Sequence, residues 1–300
     1  MRKLVLSFLA GAAVLTAGAT SRQLLSVTEE SWGEQYVTSY EYDAEGRLVK
    51  VINGGSVYTF DYSELASKKF VMTRVDTYEW GDPETTVTEM TLNDNNLVVK
   101  AVEICDGEID EDYSTYEYTD GYLSNYKYIS PDEVEETKIS YADGIITKVE
   151  NIEESESECE TITFEYDGIK NPGEIVMFDN IFDIDLDDME YVAMTGMLGK
   201  IYNELPVKAV STYLYGSSEE NFAWTIDAEG YASTLEITNE WNNYKYSFEW
   251  SGSAGVGSVS VDNTAGSQFF SVDGKLVASD AKGIVIERRA DGSSVKRINR

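Results

Sequence analysis

Carboxylates dominate the side chains of this 300-residue chain that could do chemistry. The sequence holds 55 Asp and Glu against 23 Lys and Arg and no His, giving a formal charge of −32 at pH 7. Without histidine, Ser-His-Asp and Cys-His mechanisms and His-ligated zinc sites are excluded. We expect no nucleic-acid partner, because phosphates are bound by clustered Lys and Arg.

The acids are concentrated between Asp76 and Glu190, a stretch that contains 34 acidic residues and five lysines. The three densest runs are DGEIDED (106–112), EESESECE (153–160) and DIDLDD (183–188). Ca²⁺ takes six to eight oxygen ligands, and the first run offers four candidates: Asp106, Glu108, Asp110 and Asp112. That run lacks the ligand order and closing Glu of an EF-hand loop. We therefore favour solvated acidic loops and no cofactor, with a weak divalent-cation site as the alternative.

Catalysis by carboxylates alone would resemble that of a glycoside hydrolase, which needs two carboxyl groups about 5 to 10 Å apart in a cleft. With so many acids, the sequence singles out no such pair. We expect a non-catalytic binding or structural protein, with a histidine-free glycoside hydrolase as the alternative. Tryptophans in or beside the predicted strands could stack on sugar rings, so a glycan or a surface protein is the expected ligand.

The two cysteines, Cys105 and Cys159, each border an acidic run. Outside the cytosol such a pair can form a disulfide, provided that the two Cα atoms lie within about 7 Å. Two separate thiols are the other outcome, and the sequence leaves both open.

The N-terminus predicts a signal peptide over residues 1–19. Arg2 and Lys3 precede an apolar run from Leu4 to Leu15, and Ala17-Gly18-Ala19 supplies small residues for cleavage. The run is shorter than the roughly 20 residues of a spanning helix. We expect a secreted or cell-surface protein with no transmembrane segment in the mature chain.

The elements that must position these side chains are predicted to be strands. Aromatic residues alternate with polar ones in runs such as Tyr40–Tyr42, Tyr116–Tyr118, Tyr213–Tyr215 and Tyr244–Trp250. Between such runs, units like YDAEGRL (42–48), YDGI (166–169) and IDAEGYA (226–232) combine Asp and Gly as hairpin turns do. Residues 20–250 are thus predicted to form an all-β antiparallel hairpin meander, as a large curved or barrel-like sheet.

One segment departs from strand patterning. Between Asp185 and Glu204, apolar residues recur mostly at three- and four-residue offsets, which predicts a short helix or two helical turns broken near Gly196 or Gly199. Its methionines are expected to pack in the core beneath the sheet.

The hairpin units of the type YEYDAEGRLVKV (40–51), followed by GMLGKIYNELP (196–206), resemble secreted Bacteroidota proteins of unknown function described as having a porin-like fold. The hairpins also resemble the tyrosine–aspartate repeats of cell-surface proteins. The resemblance implies a fold and no reaction. The polar alternation of these strands favours a curved sheet in water over a lipid-facing barrel.

The C-terminus predicts a separate β module over residues 259–300, after a Gly/Ser linker at 251–258. It resembles the C-terminal sorting signal of proteins exported by the type IX secretion system, which implies the export machinery as a partner. The residues that carry this likeness are Asp273, Gly274, Lys282, Gly283, Ile284, Asp291 and Gly292. A terminal hairpin that completes the main sheet is the alternative.

Overall fold

The structure, a computed structural model, describes residues 22–78, 81–105, 107–153, 155, 159–239 and 243–252, and three strands beyond them. The chain divides into two units, Met1–Ser253 and Ala254–Arg300. Several predictions concern residues outside the described ones: the signal peptide, most of the linker, Asp106, Asp273, Gly274, Lys282, Asp291 and Gly292.

Sixteen antiparallel strands of the first unit close into a barrel in chain order. They are β1 Leu24–Ser31, β2 Glu34–Tyr42, β3 Leu48–Asn53, β4 Ser56–Asp61, β5 Lys69–Asp76, β6 Glu84–Leu92, β7 Val98–Cys105, β8 Glu108–Thr119, β9 Tyr122–Ile129, β10 Val134–Ala142, β11 Ile145–Ile152, β12 Glu160–Glu165, β13 Lys208–Tyr213, β14 Gly216–Ile226, β15 Ala232–Thr238 and β16 Asn243–Trp250. Strand β1 closes the barrel by pairing with both β2 and β16. The predicted all-β meander is confirmed, and the sheet is closed rather than open.

The Asp/Asn turns lie at one end of the barrel, which we call the turn end. In the turn after β2, the Asp43 carboxylate accepts hydrogen bonds from the backbone N–H groups of Glu45 (3.0 Å) and Arg47 (2.9 Å), and Gly46 has a φ of 82°. A β-bulge adjoins five of these turns, at Glu41/Tyr42, Thr91/Leu92, Glu117/Tyr118, Ser140/Tyr141 and Thr225/Ile226. Bulges bend and twist strands, which favours closure of the sheet.

Tyrosines next to these turns anchor the hairpins to one another. The Tyr118 hydroxyl donates to the carbonyl oxygen of Val98 at 2.6 Å. The same bond joins Tyr42 to Leu24, Tyr62 to Leu48 and Tyr166 to Ile146. A hydrogen bond of this kind contributes about 1 kcal/mol net. In the unit that begins at Tyr42, the tyrosine therefore anchors the strand and Asp43 forms the turn.

Residues 166–207, between β12 and β13, form an insertion that fills the barrel. The insertion contains two helices, α1 Phe178–Phe182 and α2 Met189–Ala193. Its buried apolar side chains are Ile175, Val176, Met177, Phe178, Ile181, Phe182, Ile184, Leu186, Met189, Val192, Ala193, Leu198, Tyr202 and Leu205. Phe182 packs on Phe164 of the barrel wall, with ring centroids 5.0 Å apart, and on Tyr202 at 4.6 Å. The barrel thus encloses a packed core.

Three sequence predictions are corrected, two in the insertion and one in the turn after β13. Helix α2 covers only a part of the segment predicted to be helical, and α1 precedes that segment. The unit at 166–169 leads into the insertion instead of a hairpin, because β12 pairs next with β13. Strand β13 ends at Tyr213, and the two residues after it form a turn. Of the methionines predicted to lie in the core, Met189 is buried, and Met194 and Met197 are half-buried and pack against the core.

The end of the insertion runs across the turn end of the barrel. Met197 accepts a hydrogen bond from the Val98 N–H (2.9 Å), Lys200 donates its N–H to Gly121 (2.8 Å), and Asn203 donates its N–H to Gly144 (2.9 Å). Backbone hydrogen bonds at every third residue of the segment therefore reach three successive hairpins of the barrel. The Gly-Lys pair has a local structural role: Lys200 Nζ reaches the Asp120 carbonyl at 2.8 Å, and a Cβ at Gly199 would lie 2.5 Å from the Gly121 oxygen.

The outward face of the barrel is mostly polar. Residues in register on neighbouring strands include Glu236, Lys245 and Glu30, and also Thr234, Ser247 and Thr28. Valines and isoleucines occupy some outward positions on β3 to β11, but β14 to β16 and β1 carry almost none, so the apolar positions do not encircle the barrel. Among the described helices, none has the length and apolarity to span a membrane.

The second unit contains a three-stranded antiparallel sheet, which agrees with the predicted small C-terminal β module. Its strands are β17 Gln268–Ser271, β18 Gly283–Arg288 and β19 Ser294–Asn299, in the order β17-β18-β19. Gly283 and Ile284 of the sorting-like segment open β18.

Candidate functional site

Opposite the turn end, the inward-facing positions become charged; we call this the loop end. Along β5 the inward residues are Phe70 and Met72, then Arg74 and Asp76. Along β7, Ala101 is followed by Glu103 at the next inward position. The same alternation that builds the apolar core therefore places charges inside the barrel wall at this end.

A cavity of about 300 Å³ lies there between β5–β9 and the insertion. Its charged lining residues are Arg74, Glu103, Asp110, Asp112, Asp187 and Asp188; its aromatic ones are Tyr113, Tyr116, Tyr126 and Tyr128; and Met72, Leu186 and Met189 are apolar. We call this space the acidic cavity. Its size falls at the lower end of the range of small-molecule sites.

Arg74 is the cation of the acidic cavity, and its charge is already engaged. Its Nη1 donates to Asp188 Oδ2 at 2.5 Å, and its Nε lies 2.9 Å from Asp76 Oδ2. The other Asp188 oxygen accepts a hydrogen bond from the Tyr58 hydroxyl at 2.8 Å. This network joins the barrel wall to the insertion and leaves little positive charge for the remaining acids.

The other carboxylates are poorly compensated. Glu103 is half-buried and Asp187 is exposed, and within the described part of the chain neither carboxylate has a hydrogen bond or an ion pair. Burial raises the pKa of Glu103 above its usual value, and the charges of Asp188 and Asp187 add to that shift while Arg74 opposes it. Although Asp187 as a residue is exposed, partial burial of its carboxyl and the charge of neighbouring Asp185 raise its pKa. Shifted carboxyls in a cavity are a feature of functional sites.

Two tyrosines in the wall of the acidic cavity differ in whether their hydroxyl groups have a hydrogen-bond partner. The Tyr128 hydroxyl donates to Asp112 Oδ2 at 2.5 Å, and this bond, with burial, raises the pKa of Tyr128 to about 12. Tyr116 is only 2% exposed, and its hydroxyl has no hydrogen-bond partner among the residues that the structure describes. A buried polar atom without a partner costs about 1 to 3 kcal/mol, so it marks a place where a ligand atom would be favourable.

The structure describes three of the four predicted calcium ligands, and Asp106 lies outside the described residues. Asp110 and Asp112 line the acidic cavity, where they meet Asp187 and Asp188 from a different acidic run. Glu108 opens β8 and is exposed. Three acids whose oxygens lie within 4.8 Å of one another are found elsewhere, at Glu133, Glu135 and Glu153. The carboxylates of the acidic cavity do not converge as a compact metal site requires.

Both cysteines are free thiols, which is the second of the two outcomes that the sequence left open. Cys105 ends β7, whereas Cys159 precedes β12, and four strands lie between them around the barrel. Cys159 Sγ instead lies 3.4 Å from the backbone nitrogen of Glu153.

One carboxyl pair bears on the glycoside hydrolase alternative. Burial and a hydrogen bond to Glu160 raise the pKa of Asp183 above its usual value. A hydrogen-bonded pair leaves no space for a sugar between its carboxyl groups, whereas retaining enzymes separate theirs by about 5 Å. Neither residue lines the acidic cavity.

Two further cavities adjoin the insertion. One of about 720 Å³ lies at the turn end, where its cations Arg22 and Lys200 are already bonded to Asp227 and to the Asp120 carbonyl. The other, of about 240 Å³, contains Glu190. Burial raises the pKa of Glu190 to about 8, and its carboxylate accepts a hydrogen bond from the Phe178 N–H at 2.8 Å.

Comparison with solved structures supports the architecture. A porin-like protein from Bacteroides uniformis ATCC 8492 is 18% identical, with 77% of this chain and 97% of that chain covered and a TM-score of 0.59. A porin-like protein from Bacteroides vulgatus ATCC 8482 is 13% identical, with 76% and 98% covered and a TM-score of 0.55. The fold is porin-like. At these identities the likeness concerns the fold alone, and no protein-family model and no curated protein matches the chain.

Sequence reasoning missed the residues that complete the site in this porin-like barrel. Arg74 and Glu103 were not singled out, although each continues the inward alternation of its strand. A charged residue in phase with buried ones is the signal that could have found them. The pairing of two distant acidic runs around one cavity needed the position of the insertion, which no local pattern encodes.

Proposed function

We propose that the protein is an exported, non-catalytic binding protein that acts at the cell surface or outside the cell. The observation that carries the proposal is the acidic cavity, where Glu103 and Asp187 stand without a described partner beside the unpartnered hydroxyl of Tyr116. Burying the Glu103 carboxylate and the Tyr116 hydroxyl without a partner costs stability, and a bound ligand would offset that cost. The insertion supports binding over transport, because it fills the barrel interior.

Export is proposed from the predicted signal peptide and the C-terminal segment that resembles a sorting signal. Deleting residues 259–300 should leave the protein in the periplasm, as measured by immunoblots of periplasmic, surface and medium fractions. Urea denaturation of the truncated chain checks that the barrel still folds. Unchanged export of a folded truncation would contradict the sorting role.

A thermal-shift panel of cationic, anionic and neutral compounds, glycans and CaCl₂ tests the binding role. A compound that raises the melting temperature of the wild type, but not of Glu103→Gln, supports binding in the acidic cavity. A reducing-sugar assay on the same glycans tests the hydrolase alternative. Sugar release that survives Glu103→Gln, with no compound bound, would overturn the proposed function.

A further inference from the structure

The acidic cavity combines negative charge with aromatic and apolar walls. We propose that it binds an organic cation, a primary ammonium or guanidinium group carried on an aliphatic stem. The inference rests on the proposed binding function and names the chemical class of its ligand.

Charge is the first reason. Five carboxyl groups and one guanidinium line the acidic cavity, and the Arg74 guanidinium is held by Asp188 and Asp76. An anion would be repelled, and a neutral sugar would leave Glu103 and Asp187 uncompensated. A single cation placed between these two carboxylates relieves their mutual repulsion.

The walls favour an organic cation over a metal ion. Three tyrosines and three apolar side chains form more of the lining than a hydrated metal ion can use: Tyr116, Tyr126, Tyr128, Met72, Leu186 and Met189. The ring of Tyr113 is already in contact with Lys100 Nζ, 4.0 Å from its centroid. Aromatic faces attract ammonium and guanidinium groups, and the apolar floor can pack against an aliphatic stem. A calcium ion would need six or more converging oxygens, and the carboxylates here are spread around the lining.

Tyr116 supplies the remaining observation. Its hydroxyl is buried in the wall with no partner in the described chain, next to the ring of Tyr126 at a centroid distance of 5.4 Å. An ammonium or guanidinium N–H would donate to this oxygen as well as to a carboxylate. The site thus offers a cation both charge and a neutral acceptor.

Isothermal titration calorimetry of the full chain tests the assignment, with cadaverine, agmatine and a blocked Gly-Lys-Gly peptide as probes. A neutral diol with the carbon chain of cadaverine and CaCl₂ are the controls. Binding of an amine without binding of the diol supports the proposal. Tighter binding of the peptide points to a protein side chain as the source of the cation, and tighter binding of cadaverine or agmatine points to a free amine.

Variants assign the site. Glu103→Gln and Asp187→Asn should each weaken amine binding roughly tenfold, and Tyr116→Phe about fivefold. Glu89→Gln is the matched control, because Glu89 lies on the adjacent strand, faces outward and pairs with Lys69 at 2.6 Å; it should leave affinity unchanged. Circular dichroism and urea denaturation confirm that each variant folds.

Three outcomes overturn the proposal: no heat with any amine, equal binding of the diol, or equal weakening by Glu89→Gln. If CaCl₂ or a glycan binds instead and Glu103→Gln abolishes that binding, the ammonium assignment fails while the proposed binding function stands.

Discussion

Glu190 is predicted to make the stability of the barrel depend on pH. Burial raises its pKa from the ordinary 4.5 to about 8, with further contributions from the charges of Asp179 and Asp185. The unfolded chain would lose this proton near pH 4.5, whereas the folded chain keeps it to about pH 8. Between those values the folded state binds more protons, so the free energy of unfolding falls as pH rises.

The structure bounds the size of the effect. The difference between 4.5 and about 8, at about 1.4 kcal/mol for each pKa unit, sets an upper limit of roughly 5 kcal/mol. Glu190 retains some solvent contact, so we expect about 2 kcal/mol. Glu190→Gln should therefore be more stable than the wild type by about that amount at pH 8 and nearly equal to it at pH 4.5.

Urea denaturation followed by tryptophan fluorescence at several pH values between 4.5 and 8 measures this difference. Subtracting the variant from the wild type at each pH removes the titration of the other carboxyls. Glu174→Gln is the control, because Glu174 is an exposed residue of the same insertion. A difference between Glu190→Gln and the wild type that stays constant across this pH range would refute the reasoning.

Two further predictions concern the turn end. Gly199→Ala should lower the melting temperature by several degrees, because its φ is 93° and the new Cβ would lie 2.5 Å from the Gly121 oxygen. Gly196→Ala is the control: its φ is 79° but no atom lies within 4 Å of the new Cβ, so the melting temperature should fall less. Equal losses in the two variants would contradict the role of the contact with Gly121. Tyr118→Phe should lower the free energy of unfolding, measured by urea denaturation, by about 1 kcal/mol, because it removes the hydrogen bond to the Val98 carbonyl. A change near zero would show that the Tyr118 hydroxyl does not anchor the hairpin.

Local patterns predicted the walls of this protein well. Alternating aromatics marked strands such as β2, β8, β9 and β16, and the Asp/Gly units marked most of the turns. These features depend on neighbouring residues, which is why a sequence reveals them. The same local reasoning predicted a hairpin at 166–169, because nothing in that unit indicates that 40 or so residues enter the barrel before the next strand pairs.

The candidate site was only partly predictable. Asp110 and Asp112 were singled out for their acidic run, but their neighbours Asp187 and Asp188 arrive through the folded insertion. The sequence could not decide whether Cys105 and Cys159 pair for the same reason, since their separation around the barrel depends on strand order. The sequence alone did not show which distant segments of the chain contact each other.

The backbone contacts at Met197, Lys200 and Asn203 recur every three residues, so the length of this segment matches the spacing of the hairpins that it contacts. Three successive hairpins are therefore held by backbone hydrogen bonds to one short segment of the insertion. A single-residue deletion within the segment would shift every later contact by one position, so its length is constrained more tightly than its side chains.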